Sequence, residues 1–197
     1  MEHRDDIGAK LGMWIFIFTE ILLFGGLFLV YAIMRNRYSV EFHQCAHHLN
    51  AFIGTVNTIA LLVSSASVAM SITAVQKGDK KTALILLFVT LLCAAVFMVN
   101  KYFEWGHKFS IGLYPGSELM LTLNHGSIMF FSLYFFMTGL HMFHLIVGGI
   151  ILTIVAIKVQ RGVINAGRYV LLENGGLYWH LVDLIWIFLF PLLYLIT

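Results

Sequence analysis

The chain has 197 residues, 60% of them hydrophobic and only 11% charged, against roughly 45–50% and about 25% in soluble domains. An excess of that size has to face lipid. Twelve Lys and Arg against ten Asp and Glu leave a charge near zero, and the absence of a long basic run argues against nucleic acid as a partner. Cys45 and Cys93 are the only cysteines, so a disulfide framework is not expected and both read as free, packed thiols. The opening MEHRDDIGAK lacks the charged, apolar and small-residue regions of a secretory signal. Met1 is therefore expected to begin the mature chain.

A helix needs about 20 mostly apolar residues to cross roughly 30 Å of hydrocarbon. Five stretches meet that length: 13–34, 51–75, 82–100, 127–157 and 178–196. The expected fold class is thus all-α, a five-helix transmembrane bundle forming one domain over residues 1–197. Barrel strands would alternate in polarity over about ten residues, whereas these runs are continuously apolar. Polar clusters bound each run, namely MRNRYSVEFHQCAHH, QKGDKK, KYFEWGHKFSIGLYPGSE and KVQRGVINAGRY, and they read as interfacial loops. At 31 residues the fourth run exceeds the bilayer and must tilt or project.

Cations favour the cytoplasmic side. Arg4, Lys10, Lys77, Lys80, Lys81, Lys158, Arg161 and Arg168 fall on one side, while Arg35, Arg37, Lys101 and Lys108 fall on the other. The N-terminus is expected inside and, after five crossings, the C-terminus outside. No internal repeat is visible.

Small residues mark where helices approach in lipid. Ala60, Ser64, Ser67 and Ser71 form one stripe on the second helix, and Gly139, Gly148 and Gly149 are expected to do the same on the fourth. Trp14, Tyr31, Trp105, Tyr178 and Tyr194 lie near segment ends and read as interface anchors.

Ionisable groups in hydrocarbon cost on the order of 3 kcal/mol on insertion scales, so each needs a reason. Glu20 falls about 5 Å from the middle of the first segment, Asp183 is similarly placed in the fifth, and both are expected in the cytoplasmic half. His141 and His144 share one face of the fourth helix with Tyr134, Thr138 and Gly148. His180 and Asp183 repeat that spacing. The expectation is that one or both acids meet His144 or His180 across a helix interface, as interhelical hydrogen bonding or as a site that holds and passes protons.

Nine histidines invite a metal or haem reading. Two haems between two helices need paired histidines about four turns apart, and His125 to His141 has no matching pair. His43, His47 and His48 resemble one box of a membrane di-iron site, which needs several. With Cys45 they could hold a stray divalent ion, against the plain reading of a solvated loop. Neither G-x-S-x-G nor a phosphate-binding glycine loop is present, so no catalytic residue and no metal site are assigned.

MWIFIFTEILLFGGLFLVYA with Glu20, NTIALLVSSASVAMS from Asn57, MTGLHMFHLIVGG with His141 and His144, and LYWHLVDLIWIFLF with His180 and Asp183 occur in order. Together they resemble subunit III of haem–copper oxidases, in the five-helix form that lacks the first two helices of the seven-helix version. KYFEW, with Glu104, looks like the family's Q-x-x-E-Y region. The resemblance implies a subunit without haem or copper of its own, packed against the catalytic subunit I that carries them, beside other respiratory-complex subunits and membrane lipid. It implies a bacterial inner-membrane location, a V-shaped bundle with a lipid-holding cleft, and support for proton uptake and turnover stability. The glutamate matching Glu20 is the family's carbodiimide-reactive carboxyl, and Glu104 and Asn57 are expected as polar interface residues. Two features depart from the pattern: LNAFIGTVNT lacks the family's proline turn, and GLYPGSELMLTLNHGS is longer than in the mitochondrial form. Without the first two helices, a bound phospholipid in the cleft is a weaker expectation. The competing readings are a small subunit accompanying nitric oxide reductase, a stand-alone transporter and a haem-binding electron carrier. Whether cytochrome c or quinol donates electrons is not legible in the chain.

Overall fold

The computed structural model describes residues 6–195, and these are helical with no strand among them. Arg4, the proposed start at Met1 and the end of the fifth segment at residue 196 lie outside the described residues. The helices are α1 (Asp6–Arg37), α2 (Ser39–Ala46), α3 (Ala51–Gln76), α4 (Lys80–Ser110), α5 (Glu118–Leu121), α6 (His125–Gln160) and α7 (Val170–Phe190), followed by one wider π turn (Pro191–Leu195). α1, α3, α4, α6 and α7 with its π turn are long and apolar enough to cross a membrane.

Local chemistry sets the ends. Asn50 Oδ1 accepts from the Phe52 and Ile53 amides at 3.0 and 3.3 Å and starts α3. Asp79 Oδ1 accepts from the Thr82 amide at 3.0 Å and starts α4. Both satisfy amides that have no intrahelical acceptor. Between α3 and α4 the chain reverses in three residues, because Gly78 takes φ +77°, where a side chain would be strained.

Three expected boundaries differ. α4 does not stop at residue 100 but continues through KYFEWGHKFS to Ser110. The stretch after α1 is helical over Ser39–Ala46 rather than a loop. α7 begins at Val170, eight residues before the apolar run. The added turns of α4 and α7 bury Lys101, Glu104, Lys108 and Asn174 inside the protein, and α2 turns Phe42, Cys45 and Ala46 inward while none of its polar side chains is buried, so a hydropathy reading stops before the helix does.

The helices run alternately up and down. At one end Asn174 Nδ2 of α7 donates to Ala9 O of α1 at 3.1 Å, and Lys10 pairs with Glu173 at 2.8 Å. At the other end Tyr31 of α1 donates to Leu192 O at 2.8 Å, and Lys108 of α4 donates to His48 O at 2.5 Å. α3 and α4 form a hairpin, and α7 lies against α1, α3 and α6. Accordingly 61% of the apolar stretch of Val170–Leu195 is buried, against 11% of that of α1. Trp179, Val182, Trp186 and Leu189 of α7 are fully enclosed. Outward-facing Leu22 and Leu29 of α1, Phe88 of α4 and Phe143 of α6 leave a continuous apolar exterior.

Ser64, Ser67 and Ser71 are buried as the stripe on α3 required, with Ala60 half-buried. Gly148 is a true contact point, since a Cβ there would lie 2.9 Å from Trp179 Cε3 and 3.0 Å from Tyr178 Cε1. Gly149 is not, because nothing lies within 4 Å of its Cβ position. The interface-anchor reading also fails for Tyr31, Tyr178 and Tyr194, which are buried in the protein. Trp14 remains exposed.

Candidate functional site

The ionisable groups inside the bundle do not form one cluster; they separate into three centres. The first joins α1 to α6. Glu20 Oε2 lies 3.0 Å from His144 Nε2, with both side chains largely buried, and Phe24 meets the imidazole edge-on at 5.5 Å. His144 Nδ1 is 2.8 Å from Leu140 O. A carbonyl oxygen only accepts, so Nδ1 carries a proton and Nε2 is the atom turned to the carboxyl. Glu20 Oε2 sits off the line of a regular hydrogen bond, so the contact is a close approach without locked alignment. Tyr178 of α7 donates to His144 O at 3.1 Å and ties the third helix to this point.

The second centre joins α7 to α3 and α4. His180 Nδ1 is 2.7 Å from Ser65 Oγ, and Trp179 Nε1 donates to Ser64 Oγ at 3.0 Å. Asp183 is buried beside Ser64, Ser65 and Cys93, and neither of its carboxyl oxygens makes a regular hydrogen bond. It meets neither His144 nor His180. Asn57 is enclosed nearby on α3 and accepts from Asn100 Nδ2 of α4 at 2.8 Å.

Helix lengths also shift the depths. With α1 spanning Asp6–Arg37, Glu20 is about 2 Å from its middle at 1.5 Å per residue. Asp183 falls at the middle of Val170–Leu195. Both acids thus lie near the midpoints of their helices.

The third centre lies on the side of the Lys108–His48 end. Lys101 Nζ is fully buried, 3.1 Å from Glu104 Oε2 one turn along α4 and 2.5 Å from the Tyr194 hydroxyl. Tyr134 of α6 and Tyr194 of the π turn both donate to Glu104 Oε1 at 2.5 Å. The ammonium also stands 5.1 Å from the Trp186 ring centre, where an aromatic face attracts a cation. Glu104 was expected as an interface residue, but its partners were not. The sequence places Lys101 and Lys108 in a water-facing loop, because the aromatic side chains that enclose them lie far away along the chain.

His141 belongs to none of these centres. It is fully buried, packed at 5.4 Å on Phe97 and 5.2 Å on Trp186, and neither ring nitrogen has a hydrogen-bond partner. Among the described residues, no group of three or more His, Cys, Asp or Glu side chains converges as a metal site. Cys45 packs into the protein while His43 and His47 stay exposed, which breaks up the four-residue metal set considered from the sequence.

A bundle with a central carboxyl–imidazole pair and internal ion pairs, and with no assembled reaction centre among the described residues, can hold charge and protons. A family model described as cytochrome c oxidase subunit III matches residues 3–197. Cytochrome c oxidase subunit 3 of Thermostichus vulcanus is 30% identical over all of this chain and 90% of its own length. Probable quinol oxidase subunit 3 of Staphylococcus saprophyticus is 28% identical over 98% of this chain and 91% of that protein. A longer protein of Aeropyrum pernix, named heme-copper oxidase subunit I+III, is 31% identical over 93% of this chain and 22% of its own length. With nearly every residue matched in order, and Glu20, His144 and Asp183 set at the heart of the bundle, the chain belongs to the cytochrome c oxidase subunit III family.

Proposed function

We propose that this chain sits against subunit I of a respiratory haem–copper oxidase and serves there as a non-catalytic subunit that steadies the complex and supports proton uptake. Membership in the family makes it an accessory subunit of an oxidase of the cytochrome c or quinol type. Haem, copper and oxygen reduction are assigned to subunit I. The fused Aeropyrum pernix protein supports that neighbour, since its name joins subunits I and III in one chain. A multi-pass location in a bacterial inner membrane rests on the family and the five apolar helices, and an N-terminus inside rests on the cation asymmetry. Removing the buried Lys101 and Lys108 from the outer count strengthens it, leaving Arg35 and Arg37 against seven cations at the other end of the described helices.

The observation that carries a proton role is the Glu20–His144 pair. One proton between Nε2 and Oε2 gives either a neutral acid beside a neutral imidazole or a carboxylate beside an imidazolium, and both arrangements have zero net charge. Such a pair holds a proton in low-dielectric surroundings without the cost of an isolated ion. Its loose alignment leaves the proton exchangeable.

Purification of the tagged chain from its native membrane in mild detergent, with peptide identification of its companions, tests the assignment. A larger haem-containing subunit is expected to co-purify. A haem stoichiometric with this polypeptide alone, or recovery without such a subunit, would contradict it.

A further inference from the structure

The stretch with Cys45 and three histidines resolves into two faces. Phe42, Cys45 and Ala46 point inward, with Phe42 wedged 5.3 Å from Tyr31 and 5.4 Å from Phe130. His43 and His47 point outward, four residues apart, with their Nε2 atoms 3.3 Å from each other and their rings nearly perpendicular at 88°. His47 keeps helical backbone angles of φ −63° and ψ −19° just past the end of α2, so the spacing is that of one helical turn. The next residue is pinned, because Lys108 Nζ donates to His48 O at 2.5 Å. The pair therefore stands on a held element rather than a loose loop.

We propose that His43 and His47 form a two-nitrogen chelate for a divalent transition-metal ion of the Zn2+, Ni2+ and Cu2+ class. Two nitrogens bound tetrahedrally at about 2.05 Å stand about 3.3 Å apart, which matches the separation already present. Histidines four apart on one helix face supply two ligands to zinc in the H-E-x-x-H metalloproteases, and here the remaining positions go to water. The 3.3 Å contact is that of one neutral imidazole donating an Nε2 proton to the Nε2 of the other. Metal binding needs only that the donor ring move its proton to Nδ1, so each ring stays neutral and no proton is lost. Arg35 lines the same 620 Å³ surface cavity as His43, and no carboxylate lines it. The site thus selects ions that bond to nitrogen over hard cations such as Mg2+ and Ca2+, which need oxygen ligands. His48 opens instead onto a separate cavity with Gln44, Cys45 and Leu123.

Histidine modification by diethyl pyrocarbonate in the purified complex, read peptide by peptide with Zn2+ alone as the probe, tests this. Zn2+ is expected to protect His43 and His47 along one saturation curve, to leave exposed His48 and His107 reactive, and to be outdone by Cu2+. His43→Gln should weaken protection of His47 about 100-fold, since the second ligand of a linked pair acts at high effective concentration, whereas His48→Gln should change nothing. Protection of His47 that persists in His43→Gln, equal protection of His48, or none at saturating Zn2+ would overturn the proposal.

Discussion

Lys101 and Glu104 stand one turn apart on α4 with 3.1 Å between Nζ and Oε2, and the lysine has no exposed surface. A charge pair at this depth is held by what surrounds it: two tyrosine hydroxyls on Glu104 Oε1 and the Trp186 ring beside the ammonium. Because Tyr194 belongs to the π turn, the pair also clamps the C-terminal end of the last helix to α4 and α6.

Removing one member leaves the other buried and unpaired. Lys101→Met is expected to destabilise the chain by about 3–5 kcal/mol, whereas Lys101→Met combined with Glu104→Gln should recover most of the loss. Thermal unfolding of the detergent-solubilised complex, followed through the single and double variants, checks this. A double variant as unstable as Lys101→Met would show that the aromatic cage, and not the charge pairing, depends on the lysine.

Gly148 and Gly149 make a paired test of helix contact. Gly148→Ala drives a methyl into Trp179 and Tyr178 at 2.9 and 3.0 Å and should cost about 1–3 kcal/mol by overpacking. Gly149→Ala meets nothing within 4 Å and should be neutral within about 0.5 kcal/mol. Both values come from the unfolding midpoint of the variants in the same detergent.

How much of this was open to reading from the sequence depends on which interaction fixes each feature. Five spans follow from apolar run length alone. Their ends do not, because KYFEWGHKFS carries the same residues whether its charges face water or, as here, Tyr134, Tyr194 and His48 O. Depth made a partner for Glu20 expected. It could not tell that Asp183 points toward Ser64 and Ser65 instead of a histidine, since that depends on how α7 is rotated against α3. The adjacent glycines carry the same lesson: only the placement of Trp179 separates Gly148 from Gly149.

At the water interface, Asp79 caps α4 through the Thr82 amide at 3.0 Å and the Thr82 hydroxyl at 2.5 Å. The Thr82 side-chain hydroxyl, followed by its amide, holds the Asp79 carboxyl below the ordinary value of 3.8. The folded state thus binds this proton less readily than the unfolded chain, so the cap contributes fully above that value and is lost as pH falls through the lowered one. Amide exchange at Thr82, corrected for intrinsic rates, should accelerate below about pH 4 in the native chain. In Asp79→Asn, which caps without titrating, it should show no such acid step.

The direct test of the proton role is turnover against pH for the assembled oxidase carrying Glu20→Gln. Glutamine preserves the shape of the side chain and can still donate to His144 Nε2, but it cannot take up and release a proton at that point. Subunit content and haem spectrum are expected to match the unaltered enzyme, while oxygen consumption falls off at lower pH than before, with a drop of about tenfold at the alkaline end. A pH–rate profile superimposable on that of the unaltered enzyme would contradict a proton-handling role for the Glu20–His144 pair and leave it a fastening between α1 and α6.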